Sequence, residues 1–199
     1  QLLDIAREAW PQALNERGQI DAAARRARLI AREARKLAEG KTGPVVAVGS
    51  TGTNAATATL LAAIAASPEG AVVLPGLDRD LDEEAWNAIG WNKSAEAGFA
   101  SGAGHPQATL RRLLDLLGVA RRDVIELEPP PPALALRGKF LSEALRPAEL
   151  THRWRERRKR LSDADIRAAL AGVALVEAQD EREEALTCAV LLREALETP

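Results

Sequence analysis

Pro44-Val45-Val46-Ala47-Val48-Gly49-Ser50-Thr51-Gly52 decides how the rest of the chain is read. Four apolar residues in a row break into a Gly-Ser-Thr-Gly turn, and a helix is expected from about Asn54 to Ala66. A second apolar run, Ala71-Val72-Val73-Leu74, ends in Pro75-Gly76-Leu77-Asp78. Neither run alternates with polar residues, so both faces of each strand are expected to be covered, as in a parallel sheet flanked by helices. One helix is the length a βαβ crossover needs, and such crossovers are nearly always right-handed. The expected fold class is α/β, helix-rich, with the parallel sheet of a nucleotide-binding core.

The residues that hydrolyse a nucleotide are not where that architecture needs them. A Walker A loop is G-x-x-x-x-G-K-[ST] between a strand and a helix. Gly40-Lys41-Thr42 matches its tail, but Arg35 stands at the first glycine and the segment follows a helix instead of a strand. Gly49-Ser50-Thr51-Gly52-Thr53 has the strand-to-helix placement, and its amides and hydroxyls make it a candidate phosphate or anion loop, without a lysine. Glycine is also what any sharp turn needs, and that reading stays open beside the anion site. A Walker B strand would end in acids that hold magnesium. Val45–Val48 ends in Gly49-Ser50, and the second run reaches Asp78 only after Pro75-Gly76-Leu77. Ser50 or Ser101 with His105 or His152 supplies the residue types of a nucleophile and base. However, Gly49–Gly52 is not the G-x-S-x-G elbow, His105 precedes a proline, and His152 lies among arginines. No catalytic residue is assigned.

Outward from this unit, the first forty residues read as two helices, Leu2 to about Arg17 and, capped by Asp21, onward to Glu39. Ala23, Ala27, Ile30, Ala34 and Leu37 form an apolar stripe, with Arg25, Arg28, Arg32 and Arg35 opposite, either a solvated face or a phosphate-tracking one. Asp78, Asp80, Asp82, Glu83 and Glu84 are dense enough to suggest a metal, but also suit the first turn of a helix carrying Ala85, Trp86 and Ile89. No His or Cys is adjacent, and no metal ligands are assigned. Gly90 to Gly104 reads as a glycine-rich excursion, His105-Pro106-Gln107 closes it, and a leucine-rich helix runs to Gly118. A short strand is expected at Val124–Leu127 before four prolines, Pro129–Pro132, that mark a subdomain boundary. Helices follow around Phe140–Leu145, Ala148–Arg160 and Asp163–Ala171, then a strand, Val173–Val176. The last helix starts at Asp180 with Glu183 in the capping-box position and is expected to bury Ala185, Ala189, Leu192 and Leu196.

From Thr151 to Arg160 six Lys or Arg face one Glu, in a chain of net charge −2. Arg153, Arg157 and Arg160 share one helical face and are the candidate DNA contacts; cations complementing a helix end are the equal alternative. Charged residues make up 28% and aromatic ones 3% of the 199 residues, so the whole molecule lacks a basic character that would attract nucleic acid generally. The one cysteine, Cys188, excludes an internal disulfide and a multi-cysteine cluster. No apolar run reaches the roughly 18 residues of a membrane span, so a soluble, cytoplasmic chain with no membrane partner is expected. The chain opens inside an amphipathic pattern, contains no Met and stops directly after a helix, as an internal piece of a longer protein would.

Several phrases, in order, resemble one family. They are Gly43–Gly52, Gly70–Asp78, His105-Pro106-Gln107, Glu143–Glu149 with Trp154, and Asp180–Ala185. Together they are similar to the AddB subunit of the bacterial AddAB helicase–nuclease, in its alphaproteobacterial form. The resemblance implies a RecA-like (P-loop NTPase-like) fragment with a degenerate nucleotide site, from the helicase-like region of a subunit acting in double-strand break repair and recombination. It implies DNA and an AddA-type subunit as partners. ATP and magnesium would belong to the parent complex and neither to this fragment. The nuclease residues would lie outside it. The expected segments are a helical 1–40, an α/β core at 41–128, a proline-rich boundary with a basic helical part at 129–172, and the start of a second RecA-like domain at 173–199. Two other readings stay open: a free-standing α/β enzyme binding a phosphorylated small molecule at residues 49–53, and a protein-interaction scaffold without DNA contact.

Overall fold

The computed structural model describes residues 5–40, 43–90 and 101–198. A π-helical turn, Ile5–Ala9, leads into α1 (Trp10–Glu16), and α2 (Ala22–Ala38) follows with the Asp21 carboxylate accepting the Ala24 N–H at 2.8 Å. The residues from Leu2 to Asp4 in the first expected helix lie outside the described part, as do Lys41 and Thr42. Then come β1 (Val45–Val48), α3 (Ala55–Ala65) and β2 (Gly70–Val73). The two strands pair in parallel, Val45 opposite Gly70 and Val48 opposite Val73. The βαβ unit is therefore present, and the chain is helix-rich α/β.

α3 is apolar on nearly every side because it is covered on more than one: α2 packs along it, and the sheet and α5 (Ala108–Leu117) close over Ala58 and Leu61. Its exit into β2 is so tight that a β-carbon on Gly70 would fall 1.8 Å from the Ile64 carbonyl oxygen, which only glycine avoids. α5 joins two cores. Leu113 completes the first, with Ala58 and Leu61 against Ala47 and Val72. Leu114 completes the second, with Leu81, Ile89 and Leu150 and with Ala85 and Trp86 of α4 (Glu83–Ala88).

The expectation of a sheet covered on both faces fails. Ala47 and Val72 face the first core, but Val46 and Val48 are 61% and 70% exposed. An unbroken apolar run permits a second covering layer without supplying one, and no described segment lies there. The two other expected strands also fail. Val124–Leu127 and Val173–Val176 join no sheet, and Ile125, Leu127, Val173 and Leu175 face outward. Val124 turns out of a 3-10 segment, Arg121–Asp123, and the prolines begin soon after.

The proline run ends inside a helix. α6 (Pro132–Ala144) uses Pro132 at its first position, where the missing N–H would have had no partner, so the helix is longer than the expected Phe140–Leu145. Ala148–Arg160 is not one helix but a 3-10 segment, Ala148–Arg153, continuing into α7 (Trp154–Arg158). α8 (Asp163–Ala169) packs on α6, and Arg137 of α6 donates to the Ala169 carbonyl at 2.9 Å. α9 (Glu181–Glu197) begins as expected, with Asp180 accepting from the Glu183 N–H at 2.8 Å, while the Glu183 carboxylate reaches back to Gln179 N–H at 2.7 Å. It does not bury its apolar stripe: Leu192 and Leu196 lie open, because no described element packs against that face.

Candidate functional site

The Gly49–Thr53 turn sits where β1 hands over to α3. Gly49 and Gly52 hold φ of +78° and +66°, the left-handed region expected of them. Gly52 is also pressed against the core: an added β-carbon would lie 3.2 Å from a Leu113 methyl. The loop's polar atoms bind one another. Thr51 and Thr53 hydroxyls are 3.0 Å apart, Ser50 Oγ accepts the Gly52 N–H at 3.4 Å, and Asn54 accepts the Ala56 N–H at 2.9 Å. Donors that an anion would take at a helix start are thus partly engaged. One cation is near: Arg112 donates to the Thr53 carbonyl at 2.8 Å.

Beyond β2 the acids that suggested a metal are building elements. Asp78 Oδ1 accepts from the Asp80 and Leu81 N–H groups and from Ser142 Oγ, each at 3.0 Å. Asp82 Oδ1 caps α4 through the Ala85 N–H at 2.8 Å. No grouping of three or more His, Cys, Asp or Glu suited to a metal occurs among the described residues.

Around these acids lies a polar cluster joining four distant pieces of chain. Gln107 clasps the Gly76–Asp78 bend from both sides, donating to Gly76 O at 2.9 Å and accepting from Asp78 N–H at 3.0 Å. His105 Nδ1 accepts the Gln107 N–H at 3.1 Å, so Nε2 carries the proton and donates to Leu145 O at 2.7 Å. This histidine is a strut between the Gln107 amide and the Leu145 carbonyl. Arg146 is 0% exposed in its side chain. It forks onto Glu143 at 2.8 Å, and its Nη1 lies 2.9 Å from Asp82 Oδ2 without hydrogen-bond angles. Arg157 reaches the same Asp82 and Glu143, and Trp154 donates its indole N–H to Glu143 O at 2.8 Å. Arg121 stacks 4.7 Å from the Trp86 ring centre while binding Glu83 at 2.7 Å and Asp78 O at 3.2 Å.

Burial raises the Asp82 pKa, but the Ala85 N–H and the Arg146 and Arg157 guanidinium groups outweigh it and hold the carboxyl below its ordinary value. Burial likewise works against the Arg146 charge, and Glu143 and Asp82 overcome it, so its pKa stands above the usual arginine value. Asp80 goes the other way: burial, then the neighbouring Asp78, raise it despite Lys139 and Arg121.

The three candidate DNA-contacting arginines are divided by this arrangement. Arg153 pairs with Glu84 at 2.8 Å and Arg157 with Asp82, so both fasten α7 and the segment before it to α4. Arg160 is exposed, paired only with Glu156 one turn back at 3.1 Å. Among the described residues Arg155 and Lys159, both exposed, have no ion-pair partner. Arg25, Arg28, Arg32 and Arg35 line the exposed side of α2. His152 Nδ1 lies at hydrogen-bond distance, 2.9 Å, from the Glu149 carbonyl. Of the expected glycine-rich excursion, Gly90 to Gly104, residues 91–100 lie outside the described part, as does the Ser101 side chain, and Ser101–Gly104 form a 3-10 turn. The sequence did not single out Arg121 or Arg146. The signal for Arg146 was present, a lone arginine three residues after Glu143 on the way out of a helix, but its partner Asp82 lies far upstream. Comparison with protein-family models, with curated proteins and with solved structures gives no match.

Proposed function

We propose that this chain is a non-catalytic, helicase-like segment of AddB type. Its RecA-like core serves as a platform that engages DNA within an ATP-dependent helicase–nuclease of double-strand break repair, beside an AddA-type subunit. One observation carries the reading. Three of the five phrases on which the resemblance rests, Gly70–Asp78, His105–Gln107 and Glu143–Glu149 with Trp154, meet in a single hydrogen-bonded cluster, while Gly43–Gly52 and Asp180–Ala185 lie outside it. Such clustering is what a shared structural unit produces, and it is independent of the spacing that suggested the family. The absence of catalysis is supported by the Gly49–Thr53 turn, which has no lysine, and by Asp78, whose Oδ1 is taken up by two amides and a hydroxyl.

Of the candidates Arg153, Arg157 and Arg160, exposure favours Arg160 for DNA contact, joined by Arg155 of α7 and Lys159 just after it, all three exposed. Arg153 and Arg157 act on the other side, holding α7 in place. The test is fluorescence anisotropy with labelled DNA over a salt series. Affinity should fall steeply with salt, and replacing Arg155, Lys159 and Arg160 together with Ala should remove up to about three counterions from the slope. A triple variant with an unchanged slope would place the DNA path elsewhere, and DNA-stimulated ATP hydrolysis lost on Thr51→Ala would return the turn to a catalytic role.

A further inference from the structure

We infer that the groove between α6 and α7 takes an unpaired base of single-stranded DNA, stacked on Trp154, with the adjoining phosphates on Arg155 and Lys159. The inference rests on the DNA reading above and deepens it by naming the form of DNA.

The groove has a volume of about 460 Å³ and is walled by Phe140, Ala144, Trp154 and Leu161. Trp154 is 47% exposed, unusual for the largest apolar side chain of a segment otherwise well fastened. Its indole N–H is fixed on Glu143 O at 2.8 Å, so the ring is held in one orientation with part of its surface open to solvent. A restrained, half-open aromatic is the platform on which bases of any sequence stack.

Charge selects the occupant. The rim carries Arg155 and Arg158, and Lys159 follows at the helix end. Arg158 is tied to Asp163 at 2.6 Å, whereas Arg155 and Lys159 have no ion-pair partner among the described residues. The one carboxylate in the wall, Glu143, is already neutralised by Arg146 and Arg157. An apolar floor with one cation, Arg155, at its lip and a second, Lys159, just beyond it in the chain, neither with an ion-pair partner among the described residues, fits a ligand that is aromatic and anionic at adjacent points. A single strand is both. A duplex keeps its bases stacked inside and offers the rim only phosphate.

The full chain is tested with a labelled short oligothymidylate and with a duplex of equal length, by anisotropy. Two variants lose the indole N–H equally and differ in the aromatic plane: Trp154→Phe keeps it, and Trp154→Leu fills the space without it. Trp154→Leu should bind the oligothymidylate about tenfold more weakly than Trp154→Phe and leave duplex affinity unchanged. Arg155→Ala should weaken both DNAs and lower the salt slope by about one. Equal single-strand affinity of Trp154→Leu and Trp154→Phe overturns the inference, and that is also the result if the groove receives a protein partner. In that case salt-dependent duplex binding lost in Arg155→Ala would leave the broader DNA reading standing. Absence of salt-dependent binding to either DNA would remove both.

Discussion

Val45 to Ala65 and Val173 to Glu197 are written in the same local grammar and end in different conditions. Each has an apolar tetrapeptide, a polar turn, a side-chain cap and a helix. The caps are equally good, Asn54 on Ala56 N–H at 2.9 Å and Asp180 on Glu183 N–H at 2.8 Å. Yet β1 finds β2 and α3 buries Ala58, Leu61 and Ile64, while Val173–Val176 pairs with nothing described and α9 buries none of its residues. Local signals start a helix; only a non-local partner turns a strand and a helix into core.

The contrast breaks most severely at Arg146, the one fully buried charge among the described residues. Arg146→Met should destabilise the chain by about 3 kcal/mol, the low end for stripping a buried pair, since Arg157 still reaches both carboxylates. Thermal melting measures it, and an unchanged melting temperature would make the cluster ornamental. Next comes the turn. Gly52→Val combines a strained φ with the Leu113 contact and should cost about 1–3 kcal/mol, whereas Gly49→Val meets open space and carries the strain alone. Equal losses would mean that packing at Gly52 is slack.

Acid provides a gentler probe. Because the folded Asp82 carboxyl sits below its ordinary value near 3.8, its contribution is complete above that pH and fades as the pH falls through the lowered folded value. Asn caps a helix as well as Asp does, so the stability gap between wild type and Asp82→Asn should be constant near neutrality and shrink below about pH 4. A gap that widened in acid would reverse the assignment. The smallest effect belongs to the unanchored region: Leu192 is 67% exposed, and Leu192→Ala should shift stability within about 0.5 kcal/mol. A loss of several times that amount would mean that α9 has a partner in solution.

What could be read in advance follows the same division. The caps at Asp21 and Asp180, the helix after Asp82 and the parallel β1–β2 pair involve neighbours in sequence or one crossover, and residue type suffices for them. Whether Val46 and Val48 would be covered, or whether Val124–Leu127 and Val173–Val176 would join a sheet, depends on pieces that residue type does not reveal. The surroundings of the charged residues were hidden for a related reason. Arg153 and Arg157 on a helix look alike whether they face solvent or a carboxylate brought from α4, and only the folded chain brings Asp82 and Glu84 beneath them. The turn at Gly49–Thr53 was legible in its backbone angles and not in its internal hydrogen bonds.

The polar cluster also imposes an order in time. Asp78 binds Ser142 across 64 residues and Asp82 binds Arg157 across 75, while β1, α3 and β2 close on one another within a short stretch. Contacts of long sequence separation form late, after the chain has lost the entropy of a large loop. On a ribosome, synthesising from the N-terminus, the βαβ unit would be complete while Asp78 and Asp82 still awaited their partners. Pulse-labelled hydrogen exchange during refolding should accordingly protect the amides of α3 before those of α4, and the opposite sequence would contradict it. A ribosome that stalls between Pro132 and Ser142 would therefore hold the acidic stretch from Asp78 to Glu84 without any of its arginine partners from Arg146 onward.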